Sequence, residues 1–182
     1  KFMANYFFNP DEFPEISKKD DPINDDFMFN QGPTRGLGKI RFHDYNLAYD
    51  SVDLPNVNRF KEQISVLKEF LMTAAPDKEQ IKDIDFLLNL GELFTLVAYG
   101  QLIIEKAKME SVENDLIDQI FDVMIRDFSK FALQIYTKPG TTEKQMALCM
   151  KMIKKPVAQR ERFLNVWQNH VYCLKDNYEM NP

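Results

Sequence analysis

"DLIDQIFDVMIRDFSKFALQIY", Asp115 to Tyr136, decides the fold. Leu116, Ile120, Met124, Phe128, Phe131 and Ile135 recur at steps of three and four, the spacing that stacks side chains on one face of an α-helix. Asp118, Asp122 and Arg126, at i, i+4 and i+8, form a polar row on a different face. The stretch contains neither Gly nor Pro to interrupt the helix.

The same period continues on both sides. After Pro55, Val57, Phe60, Ile64, Leu67 and Leu71 share one face, with Lys61, Glu62, Lys68 and Glu69 opposite, and Pro76 ends that helix or starts the next. Asp77 followed by Gln80 reads as a capping box, in which the Asp oxygen accepts an early backbone N–H. The helix it opens runs to Glu110, 34 residues, or roughly 50 Å. Gly91 and Gly100 each cost that helix about 1 kcal/mol relative to Ala and mark close helix contact or a kink. On the other side, "TKPGTT" is a turn, and Thr142 followed by Gln145 opens a helix carrying Met146, Cys149, Met150 and Ile153. Pro156 separates it from a last helix, where Phe163, Val166, Trp167, His170, Val171 and Leu174 share one side.

Five amphipathic helices and no strand hairpin predict an all-α fold, an antiparallel helical bundle over residues 56–182. Residues 1–55 read differently. Lys1 to Phe8 is the end of a preceding helix, stopped before Pro10. Residues 9–55 hold five of the nine prolines and half of the six glycines, so a long irregular arm is expected there, with Phe13, Phe27, Phe29 and Phe42 as apolar anchors. The abrupt start at Lys1 suggests a piece of something longer.

Ile84 to Ile104 is nearly apolar all round and long enough to span a bilayer. Asp85, Asn89, Glu92 and Gln101 interrupt it, and a charge near the centre of a membrane helix costs roughly 2.5–3.5 kcal/mol on insertion scales. The expectation is therefore no transmembrane segment and a central helix surrounded by its neighbours. Glu92 would then be buried and paired, with Arg126 or Tyr99 as its partner.

The net charge of −5 argues against a nucleic-acid partner, which calls for a basic footprint. The charge is uneven. Residues 1–26 carry three Lys against seven acids, and residues 143–162 carry six cations against two acids. The latter are solvated helix faces or a surface for an acidic partner. Cys149 and Cys173 match no zinc spacing and no disulfide framework. As small apolar side chains in helices they point to a reducing, cytoplasmic setting.

Little in the chain supports chemistry of its own. "NQGPTRGLGKIRFHDY", Asn30 to Tyr45, mixes Gly32, Gly36 and Gly38 with Arg35, Lys39, Arg41 and His43. A phosphate loop needs four residues between its first Gly and Gly-Lys, then Ser or Thr. Here five intervene and Ile40 follows, so the stretch reads as a linker, with a looser anion contact at Arg35 and Lys39 as the alternative. A di-iron bundle needs Glu-x-x-His, whereas Ile40 and Trp167 precede His43 and His170 by three. No metal site is expected. His170 and Cys173 stand at i, i+3 without a third orienting group and read as packed core. No catalytic residue is assigned.

"LLNLGELFTLVAYGQLIIEKAKME" and "NDLIDQIFDVMIRDFSKFALQIYTKP" resemble the C-terminal helical part of acyl-CoA dehydrogenase-like flavoproteins, bacterial members with an extended C-terminus above all. The resemblance covers roughly residues 84–139, and "RFLNVWQNHVYCLKDNYEMNP" is similar to such tails. It implies a parent oxidoreductase of fatty acid metabolism with bound FAD, acting on an acyl-CoA thioester. In that family a Glu removes the α-proton and a hydride passes to the flavin. The Glu-Gly-Thr segment and the β domain that carry this machinery have no match here, so no catalytic or cofactor-binding residue is carried over, and no cofactor is expected in this chain. The implied role is structural or assembly, with the remainder of the parent as partner and homo-oligomerisation as a further expectation. The alternative is a stand-alone helical protein-interaction module.

Overall fold

A computed structural model of the chain describes residues 2–10 and 42–177. Seven α-helices account for most of them: α1 (Phe2–Phe8), α2 (Tyr45–Tyr49), α3 (Pro55–Thr73), α4 (Ile84–Met109), α5 (Asn114–Tyr136), α6 (Glu143–Met152) and α7 (Arg160–Val166). A π-helical turn, Trp167–Val171, and a 3-10 turn, Tyr172–Leu174, follow. No strand occurs among the described residues, and the fold is all-α.

The centre of the bundle is α5, which packs against α3, α4, α6 and α7. Its buried row is Ile117, Phe121, Met124, Ile125, Phe128, Ala132 and Ile135. Leu116, Ile120 and Phe131, expected in that row, are only half-buried at its edge. Having neighbours on several sides rotates the covered face beyond what one stripe indicates. In α3 likewise, Phe70 is fully buried while Leu71 is half-buried. The aromatic rings of Tyr49, Phe60, Phe121 and Phe128 form a chain of contacts through the middle, with centroids 5.4–6.2 Å apart.

The helix expected over Asp77 to Glu110 starts later. Its N-cap is Asp83, whose side chain accepts from the Phe86 N–H at 3.0 Å. Asp77 and Gln80 do make the reciprocal bonds of a capping box, Asp77 Oδ1 accepting from Gln80 N and Gln80 Oε1 from Asp77 N. They close only a turn, because the extended backbone of Asp83 (ψ 98°) breaks the chain away before α4. Thr142 and Gln145 form the second capping box, and this one opens α6 as the sequence indicates.

Nor is α4 central. Phe86, Leu90, Leu93, Val97, Gly100 and Ile104 are its buried side. The opposite side is also apolar, yet Ile84 is 73% exposed, Leu88 61%, Tyr99 60% and Leu102 58%. It is the one helix, among the described residues, long and apolar enough to cross a membrane, and 39% of its most apolar window is buried. The apolar circumference had suggested neighbours all round, but among the described residues the bundle covers one side only.

Before Pro55, α1 and the stretch from Phe42 through α2 dock on this bundle. Tyr6 and Phe7 of α1, Phe42, Tyr45 of α2 and Phe94 of α4 form an aromatic cluster with centroids 5.1–6.0 Å apart. Tyr6 donates its hydroxyl to Gln101 Oε1 at 2.7 Å, and Tyr49 donates to the Val97 carbonyl at 2.7 Å. Phe42 thus serves as the anchor expected of it. Phe13, Phe27 and Phe29 lie outside the described residues.

Candidate functional site

Pro55 starts α3 with its ring at N1, and the preceding Leu54 offers no capping side chain. The free N–H of Asn56 therefore needs an acceptor from elsewhere. Asp118 of α5 supplies it: Oδ1 accepts from Asn56 N at 2.9 Å, and Oδ2 from Asn56 Nδ2 at 2.9 Å. Asp118 is 3% exposed. Its negative charge at the start of α3 also meets the positive end of the helix dipole. The sequence had put Asp118 on a polar face turned away from the core. A carboxylate that caps another helix is an exception that its own helix cannot reveal.

The remaining polar atoms of Asn56 hold the segment between α6 and α7. Its Oδ1 accepts from Val157 N at 2.7 Å, and its Nδ2 donates to the Val157 carbonyl at 3.3 Å. Two turns on along α3, Gln63 Nε2 donates to the Met152 carbonyl at 2.8 Å, and Ser129 Oγ accepts from Lys154 N at 2.9 Å. Residues 153–157 are thereby fastened across α3 and α5.

Beneath this fastened segment lies a cleft of about 550 Å³, within the usual range of small-molecule sites. Arg126, Lys155, Arg160, Arg162, Asp118 and Asp122 supply its charges, and Pro156, Val157 and Phe163 part of its apolar wall. Arg126 Nη2 pairs with Asp122 Oδ1 at 2.5 Å. Arg162 Nε lies 3.6 Å from Asp115 Oδ1, and its buried Nη1, 4.0 Å from Asp118 Oδ1, makes no hydrogen bond. A second groove of about 380 Å³ runs beside Tyr45, Tyr49 and Lys68.

The structure brings Asp118, Asp122 and Arg126 to this cleft but sends other candidates elsewhere. Glu92, expected to be buried with Arg126 or Tyr99, is exposed on the outer side of α4. Arg126 takes Asp122 instead, one turn away on its own helix. Cys149 is fully buried, and burial pushes its thiol up to about 12. Cys173, read as core, is exposed, with Sγ donating to the Asn169 carbonyl at 2.8 Å. His170 sits 3.5 Å from Glu113 Oε2. The expected last helix is α-helical to Val166, its only buried residue, and continues as a π-helical and a 3-10 turn to Leu174, but Phe163, Trp167, Val171 and Leu174 stay exposed. Among the described residues no three His, Cys, Asp or Glu side chains converge on a metal position. Arg35 and Lys39, with the glycine-rich loop, lie outside the described residues.

The cations of residues 143–162 are partly neutralised within the chain: Lys154 by Glu62 at 2.9 Å, Lys151 by Glu69 at 4.0 Å, and Arg162 by Asp115. The cleft itself was invisible in the sequence. Its walls come from α5, the start of α3 and a connection some 100 residues further on, and only the cation density after Lys151 hinted at it. No family model, curated protein or solved structure matches the chain.

Proposed function

We propose that the chain is a helical assembly domain, non-catalytic by itself, that docks through the outer side of α4 on the remainder of an acyl-CoA dehydrogenase-like flavoenzyme. The docking role is carried by one observation. A helix at the surface of a closed bundle normally turns charges to solvent, whereas α4 turns out Ile84, Leu88, Tyr99 and Leu102 around Glu92 and Thr95, with Ile81 just before it. Large apolar side chains gathered on one exposed helix face suit a contact surface. The flavoenzyme affiliation is supported by the resemblance of residues 84–139 alone, and FAD and the acyl-CoA thioester belong to the parent. The buried polar side chains favour a structural role over catalysis: Asn56, Asp118, Gln80 and Gln145 are engaged with one another or with backbone between helices.

The test is to place an affinity tag at the end of the native gene and purify the protein from its host. A flavin absorption spectrum, on a polypeptide that contains these residues and oxidises an acyl-CoA with an artificial electron acceptor, is the expected result. A colourless product without turnover would refute the flavoenzyme affiliation and favour the stand-alone interaction module.

A further inference from the structure

We propose that the cleft between α5 and the segment leading into α7 binds a small phosphate monoester. Its charged lining is four cations, Arg126, Lys155, Arg160 and Arg162, against two carboxylates, Asp118 and Asp122. With Asp115, which pairs with Arg162, the balance is 4 − 3 = +1, a cationic excess in a chain of net charge −5. Its sign suits the charge of about −2 on a phosphate monoester at neutral pH.

The cations are not equivalent. Arg126 is held by Asp122, and Arg162 by Asp115. Among the described residues the side chains of Lys155 and Arg160 have no ion pair or hydrogen bond, and both residues are exposed. Lys155 extends from backbone that is already fixed, since the Val157 N–H and carbonyl are held by Asn56 and the Lys154 N–H by Ser129, and Arg160 opens α7. Fixed backbone lowers the ordering cost of binding. An Arg fork with a Lys point charge beside it suits phosphate oxygens. Phe163, 51% exposed, and Pro156 add an apolar wall that an ester group can cover. A free phosphate would leave that wall bare.

The probe is phenyl phosphate, titrated into the full chain while the backbone N–H resonances of Val157, Ala158 and Gln159 are followed. Inorganic phosphate and phenyl sulfonate serve as comparisons. Saturable shifts are expected with phenyl phosphate at millimolar concentration or below, several-fold tighter than with either comparison. Affinity should fall about tenfold between about pH 7.5 and about pH 5, as the second phosphate ionisation near pH 6 is crossed. Lys155→Ala with Arg160→Ala should weaken binding about tenfold or more, a change of about 1.4 kcal/mol. Asp122→Asn should tighten it several-fold by removing a competing carboxylate, a gain that misfolding cannot imitate. Lys108→Ala with Lys144→Ala, outside the cleft, should leave it unchanged. Absence of saturation, equal loss in the two double variants, or equal affinity for phenyl sulfonate would overturn the site. Equal affinity for inorganic phosphate would overturn the ester.

Discussion

Gln80 and Gln145, 65 residues apart, exchange two hydrogen bonds: Gln80 Nε2 donates to Gln145 Oε1 at 2.8 Å, and Gln145 Nε2 donates to Gln80 Oε1 at 2.9 Å. The other amide valences are filled as well. Gln80 Nε2 also reaches the Gly140 carbonyl, Gln145 Nε2 the Ala74 carbonyl, and the two oxygens accept from Asp77 N and Thr142 N. Two capping boxes are thus joined face to face, which fixes the turn before α4 against the start of α6.

Buried amides in a closed network are interdependent, since removing one leaves its partner unsatisfied. Gln80→Ala and Gln145→Ala should each destabilise the chain by about 1–3 kcal/mol. The double variant should lose less than the sum, with a coupling of about 1–2 kcal/mol. Urea denaturation of the four proteins checks this, and strict additivity would contradict the pairing.

The capping boxes themselves were legible, as Asp77 with Gln80 and Thr142 with Gln145. Their pairing was not, because the i, i+3 signal is local and says nothing of which two turns meet. The same limit produced the early start given to α4: Asp77 and Asp83 both make cap bonds to an N–H three residues on, and the extended backbone at Asp83 that separates turn from helix leaves no mark in that spacing. The periodicity of α3, α5 and α6 did give the helices, since a core face must repeat at the helical period. It misjudged Glu92 because an apolar circumference does not tell which side the bundle covers.

Asp118→Ala removes the acceptor of two donors at a buried helix start. A loss of about 2–3 kcal/mol is expected, as for hydrogen bonds to a charged group. Asp118→Asn retains one acceptor oxygen and should lose less. Chemical denaturation ranks the two; equal stability of Asp118→Ala and the parent would mean that the cap contributes nothing.

Gly100 and Gly91 should respond oppositely to alanine. A methyl at Gly100 would collide with the Tyr49 hydroxyl and crowd Met124 and Phe121. Tyr49 is 1% exposed and tied to the Val97 carbonyl, so it cannot yield cheaply. Overpacking of about 1–3 kcal/mol outweighs the helix-propensity gain of about 1 kcal/mol. Gly91 has nothing within 4 Å, and Gly91→Ala should stabilise by up to about 1 kcal/mol. Thermal melts of the two variants should move in opposite directions.

The Cys149 thiol, pushed up to about 12 by burial, keeps its proton in the folded chain after an unfolded chain has lost it near 9. The unfolded state then binds fewer protons, so stability falls as pH rises from about 9 toward 12. Tyr6, Tyr45 and Tyr49, all raised by burial above the usual 10, act in the same direction. Denaturation midpoints should decline through that window, less in Cys149→Ala than in the parent. At about pH 8 a thiol reagent should label Cys173 at once and Cys149 only on unfolding.

Covalent footprinting of α4 by a photogenerated carbene tests the docking role most directly. It should be run on the 182-residue chain and on the protein as purified from its host. Leu88 and Leu102, 61% and 58% exposed, should be labelled strongly in the chain and protected in the native protein, while Leu93, fully buried, stays unlabelled in both. Equal labelling of Leu88 and Leu102 in the two samples would contradict the account, because the outer side of α4 would then face solvent wherever the protein works.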